Sequence, residues 1–150
     1  MIRLATLSDQ TSLVQCAREA YQHYTVRIGR EPAPMLVDFE AEIAASEVFV
    51  WEDNTAAVVG YVVVACLPEH VFLDAVGVLP SAQGQGIGRA LVAFCEALAV
   101  STGTRKVCLY TNEKMVENIA MYKKWGYLEV GRREENGFKR VYFEKILSEQ

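Results

Sequence analysis

The stretch QGQGIGRA places glycine at positions 84, 86 and 88 and follows them with Arg89. Glycine permits left-handed backbone and lets a ligand come close to the main chain. The residues that follow carry Ile87, Leu91, Phe94, Cys95 and Leu98 at helical spacing, so the loop opens a helix that closes at Gly103. The first turn of a helix presents unpaired N–H groups and the positive end of the dipole, and Arg89 adds a formal charge there. A phosphate-bearing ligand is the natural occupant. On this stretch alone, a tight turn with no ligand is the other reading.

Spacing removes two kinds of phosphate loop. A dinucleotide fingerprint G-x-G-x-x-G beginning at Gly84 needs glycine at 89, where Arg89 stands. Beginning at Gly86 it needs glycine at 91, which is Leu91. No Gly-Lys-Ser/Thr follows, so the P-loop form fails as well.

Other groups capable of chemistry are few. Asn118 and Tyr122 stand four apart on a predicted helix and share a face. Asp74 interrupts the apolar run VFLDAVGVLP; on a regular strand it would share a face with Val76, and a bulge would change that. His23 lies between Tyr21 and Tyr24 and is a candidate base by residue type. No serine elbow or Cys–His pairing suggests a covalent acyl intermediate.

These residues need elements to hold them. Residues 1–5 are expected as a short strand, and Ser8 as the N-cap of a helix carrying Leu13, Cys16, Ala17, Ala20 and Tyr24. Gly29, Pro32 and Pro34 then break the pattern, before a short helix over about 37–45. Residues 47–51, 56–66 and 71–80 are expected as strands, KVCLYT as another, and a helix runs from about Met115 to Trp125. YLEVGRR and KRVYFEKIL, split around Asn136-Gly137, form a terminal hairpin. The order is α+β, with antiparallel strands at each side.

Composition bounds the rest. A chain of 150 residues makes one domain with one substantial core. The net charge of −4 disfavours nucleic acid as partner. The N-terminus turns polar within a few residues, and no apolar run approaches the roughly 20 residues that span a bilayer. Cys16, Cys66, Cys95 and Cys108 show neither C-x-x-C nor metal-site spacing. No metal, no membrane and a cytoplasmic address are therefore the expectations.

The surroundings of the glycine loop are more specific than the loop. VGVLPSAQGQGIGRALVAF resembles the pyrophosphate loop of the GNAT superfamily of N-acetyltransferases, Gln/Arg-x-x-Gly-x-Gly/Ala after a strand. Gln83, Gly86 and Gly88 fill its three defined positions. LYTNEKMVENIAMYKKWGYLEVGR is similar to the superfamily's second signature, with Asn118, Tyr122, Gly126 and Tyr127 in place. The specific resemblance covers roughly residues 60–134.

The resemblance implies a twisted mixed sheet of about six or seven strands flanked by about four helices. It implies acetyl-CoA as co-substrate and direct transfer to a primary amine. The pantetheine would lie along residues 75–78, held by the backbone of Val76 and Val78, with an N–H near Val76 as oxyanion donor. The pyrophosphate would sit on Gln83, Gly84, Gln85, Gly86, Ile87, Gly88 and Arg89. Asn118 would support the pantetheine and Tyr122 would protonate the departing thiolate; a core aromatic over Val116 and Ile119 is the alternative for Tyr122. A free phenol titrates near ~10 and a thiol near ~8.5, so the phenol keeps its proton until the thiolate appears. Asp74, His23 or a water chain would take the amine's proton.

Acceptor selection in this fold falls to the first two helices and their loop, here Tyr21, Tyr24, Arg27 and Arg30. An arginine there would clamp an acid-bearing acceptor; a capped helix end is the alternative. A non-catalytic acyl-CoA-binding module, another acyl group and an oxygen acceptor remain as rivals. A homodimer through the terminal strands or a sheet edge is compatible with the sequence, which holds no feature that decides it.

Overall fold

The computed structural model describes residues 1–45 and 47–148. Seven strands, β1 (Ile2–Leu4), β2 (Val48–Glu52), β3 (Val58–Cys66), β4 (Val71–Val78), β5 (Lys106–Asn112), β6 (Leu128–Glu135) and β7 (Phe138–Ile146), form one mixed sheet in the order β1-β2-β3-β4-β5-β7-β6. Only β4 and β5 run parallel; every other neighbouring pair is antiparallel. Between them come α1 (Gln10–Tyr21), α2 (Tyr24–Ile28), α3 (Phe39–Ala44), α4 (Ile87–Ser101) and α5 (Val116–Lys124).

The alternation of apolar residues along the strands feeds two cores. On one face Val62, Val64, Val71, Leu73, Leu109, Val141 and Phe143 pack with Leu91, Cys95 and Tyr122 of α4 and α5. On the other, Val48, Val50, Tyr61, Val63 and Ala75 pack with Leu13 and Cys16 of α1 and Phe39 of α3.

Three local outcomes differ from expectation. Thr6, not Ser8, precedes the first turn, and the Asp9 carboxylate accepts from the Thr6 N–H at 2.8 Å. Asp9 also takes two bonds from the Arg3 guanidinium, at 2.8 and 2.9 Å, and these hold its carboxyl down at about 2. The first long helix stops at Tyr21, because a turn at Gln22 and His23 starts a separate α2 that Gly29 ends in the left-handed region, φ 89°. The described residues thus hold five α-helices, in keeping with the expected sheet flanked by about four. The Asn136-Gly137 turn has φ of 54° and 81°, the tight hairpin its sequence asks for.

The third difference reshapes the site. Val63 pairs with Ala75, but Val64 pairs with Leu73, so Asp74 is an extra residue on β4. This bulge flips the strand. Leu73 faces the α4 core while Ala75, two residues on, faces the α1 core.

Candidate active site

Beyond the bulge β4 and β5 part company. Their pairing covers Val71 to Leu73 against Val107 to Leu109 and goes no further, while β5 continues to Asn112 beside β7. The Leu79 N–H still bonds across to Val59 of β3, so by alternation Val78 and Val76 turn their N–H and C=O groups to the opposite edge. No described strand pairs that edge beyond Leu73. Two side chains meet it: Tyr21 donates to the Val76 carbonyl, and the Gln83 amide donates to the Val78 carbonyl at 3.2 Å.

The open edge floors a cleft of about 570 Å³ walled by α1 and α2, the glycine loop and α5. Val76, Val78, Gln83, Gly84, Gly86, Ile87, Gly88 and Arg89 all line it; Gln85 does not, and is exposed. Gly84 and Gly86 have φ of 83° and 80°, where side chains are rarely tolerated. Gly86 is the N-cap of α4, and the first helical bond runs from the Ala90 N–H to its carbonyl at 3.0 Å. The N–H groups of Ile87, Gly88 and Arg89 therefore lack an intrahelical partner. A Cβ on Gly88 would meet nothing closer than Val78 Cγ2 at 3.8 Å. Nothing in the free protein asks for glycine there.

Gly77 is bare for an internal reason. A Cβ there would stand 2.5 Å from Cε1 of Tyr61, whose ring is wholly buried.

Asn118 and Tyr122 share the inner face of α5, as their spacing requires. Tyr122 is 4% exposed and packs edge-on against Trp125 and Tyr127. Burial pushes its phenol well above the ordinary range. Asn118 donates to the Met115 sulfur at 3.6 Å.

A second, narrow cavity of about 30 Å³ abuts the cleft, and Tyr21, Val76, Asn118 and Tyr122 line both. Asp74 opens into this second cavity and not into the cleft. Its carboxylate accepts from the Tyr110 hydroxyl at 3.1 Å. The expected shared face of Asp74 and Val76 does not form, because the bulge intervenes.

The first-helix residues separate. Tyr21, His23, Tyr24 and Arg27 line the cleft, but Arg27 is engaged by Glu117 at 2.9 Å and by the Lys114 carbonyl at 3.0 Å. Tyr24 donates to the same Glu117 at 3.1 Å, and burial together with that carboxylate pushes its phenol up to about 12. Arg30 lines neither cavity; it donates to the Asn136 carbonyl at 2.9 Å and lies 4.1 Å over the Phe138 ring. The Glu117 latch spans 90 residues and leaves no local mark in the sequence. Arg89 likewise reaches Glu96, at 3.3 Å, and the face of Trp125.

A strand with an open edge, a glycine turn at a helix start and a buried tyrosine at the meeting of two cavities suit a thioester co-substrate. The family model for the acetyltransferase (GNAT) family matches residues 11–127. The chain belongs to that family. It is an acetyltransferase by this membership, and solved structures share its fold. The PaiA N-acetyltransferase from Thermoplasma acidophilum, in complex with coenzyme A, superposes with a TM-score of 0.81 at 18% identity, over 97% of this chain and 98% of that one. A ribosomal-protein-alanine N-acetyltransferase from Brucella melitensis gives 0.72 at 24% identity, over 98% and 99%. A putative acetyltransferase from Salmonella typhimurium with its cofactor acetyl-CoA gives 0.71 at 19%, over 100% and 95%. Comparison with curated proteins yields no match.

Among the described residues no helix is long and apolar enough to cross a membrane, and no group of three or more His, Cys, Asp or Glu could hold a metal ion.

Proposed function

We propose that this GNAT protein transfers the acetyl group of acetyl-CoA directly to the primary amine of a small acceptor. The observation that carries the reading is the junction of the two cavities at Tyr21, Val76, Asn118 and Tyr122. The long cleft takes the co-substrate and the narrow cavity takes the acceptor, so the thioester lies where they meet.

The residues present fit the co-substrate. The unpaired N–H groups of Ile87, Gly88 and Arg89 receive pyrophosphate, and the space at Gly88 lets it approach. Gln83 lines the cleft, and its amide also donates to the Val78 carbonyl, which braces the loop against β4. The open edge at Val76 and Val78 offers backbone bonds to pantetheine amides, and the Val76 N–H is the oxyanion donor.

The chemistry then balances. The neutral amine attacks the thioester carbon, the new C–N bond forms and the C–S bond breaks. The amine's proton passes to Asp74, and Tyr122 gives its proton to the departing sulfur. Burial of Tyr122 favours the protonated phenol, the form an acid needs.

The test is CoA release from acetyl-CoA with pools of amino acids, polyamines, short peptides and aminoglycosides. Amine-dependent release is expected from one pool. Saturable acetyl-CoA binding with no release from any pool would favour a non-catalytic acyl-CoA-binding module.

A further inference from the structure

Arg140 stands on β7, outside both the glycine loop and α5. It lines the narrow acceptor cavity together with Asp74, Tyr110 and Phe138. Among the described residues lining that cavity, Asp74 is the one carboxylate and Arg140 the one cation. The two are joined through Tyr110, which donates to Asp74 at 3.1 Å while its ring lies 4.2 Å beneath the Arg140 guanidinium carbon. Phe138 lies 5.8 Å from that carbon. The guanidinium thus lies over the Tyr110 ring and within reach of Phe138, both carried by the sheet.

Its hydrogen bonding is incomplete. Nε of Arg140 is buried with no partner. Among the described residues its one ion pair is with Glu135 at 3.6 Å, a carboxylate that is 39% exposed and already accepts from the Tyr142 hydroxyl. Such a rim pair is weak and screened. A planar, fixed fork of donors matches a carboxylate bidentately.

We propose that Arg140 selects the acceptor by binding its carboxylate, so that the substrate is a small amino acid whose amine stands by Asp74 and Tyr122. The cavity is narrow, about 30 Å³, and a carboxylate is compact enough to enter it. Arg140 thereby has the role that the sequence alone gives to Arg27 or Arg30, both of which are engaged elsewhere. The inference rests on the acetyltransferase reading above.

The experiment measures kcat/KM for CoA release with the common α-amino acids and with ω-amino acids from β-alanine to 5-aminopentanoate. Each is assayed beside its carboxamide, in the wild type, Arg140→Gln and Arg140→Lys. The wild type is expected to prefer at least one free acid over its amide by about 30-fold or more, chiefly through acceptor KM. Arg140→Gln is expected to bring that ratio within about threefold, Arg140→Lys to restore part of it, and the KM for acetyl-CoA to stay put. Amides acetylated as well as acids by the wild type would overturn the proposal while leaving the acetyltransferase reading intact, and this holds even if the variants fail to fold. A preference that survives in folded Arg140→Gln would overturn it equally. No release with any amine, acid or amide, would overturn both.

Discussion

Asp74 and Val76, two residues apart on β4, face opposite sides of the sheet. Val76 packs against the α4 core, whereas Asp74 meets Tyr110, whose neighbour Leu109 points into that same core. The bulge at Asp74 produces this split and also starts the divergence of β4 from β5. One extra residue therefore leaves the edge of β4 unpaired by any described strand beyond Leu73 and sends a carboxylate into the narrow second cavity.

If Asp74 takes the amine's proton, Asp74→Asn should lower kcat/KM for the amine about 10²-fold with acetyl-CoA affinity unchanged. Tyr110→Phe, which removes only the 3.1 Å bond to Asp74, should cost much less. A change under about threefold in Asp74→Asn would move the base to His23 or water.

Gly86 and Gly88 should behave oppositely. Gly86→Ala forces a side chain into φ 80° and should destabilise the fold by about 1–2 kcal/mol. Gly88→Ala meets open space in the free protein and improves helix propensity, so it should raise Tm slightly. Yet it should weaken acetyl-CoA binding about tenfold or more, because the added methyl occupies the phosphate's approach. Calorimetric titration beside thermal melts checks both halves, and unchanged affinity in Gly88→Ala would remove the loop from the binding site.

Stability at low pH should depend on the Arg3–Asp9 pair. The folded carboxyl titrates at about 2, below its ordinary 3.8, so its stabilisation is complete above that ordinary value. It is lost as pH falls through about 2. Arg3 is partly exposed, so Asp9→Asn should cost on the order of 1–2 kcal/mol at pH 7. Urea melts should show the deficit shrinking between pH 4 and pH 2; a constant deficit would mean that the carboxylate's charge is not what stabilises.

Much of this was legible in the residues. Gln83, Gly86, Gly88, Asn118 and Tyr122 sit at fixed short spacings, and local spacing survives folding, so their resemblance to the GNAT signatures could be seen in the sequence. Asp74 was visible as one acid in an apolar run, but a bulge is a count of two strands against each other and neither strand carries it alone. Arg27 and Arg30 looked available because their partners, Glu117 and Asn136, arrive from the far end of the chain. Arg140 was hidden for the converse reason. In KRVYFEKIL it is an ordinary polar position of a hairpin, and only the β5–β7 pairing sets it over Tyr110.

The most direct test of the central claim is the single-turnover rate of CoA release in Tyr122→Phe, with acetyl-CoA affinity measured on the same protein. The substitution removes one hydroxyl at the junction of the two cavities and keeps the ring that packs on Trp125 and Tyr127. A rate lowered about 10²-fold or more, with affinity and Tm retained, is the predicted result. The wild type should also show no alkaline fall from Tyr122 up to about pH 10, the ordinary phenol value, since burial raises it further. A rate unchanged in Tyr122→Phe would contradict the account, because the thiolate would then be leaving without the proton that the proposal assigns to Tyr122.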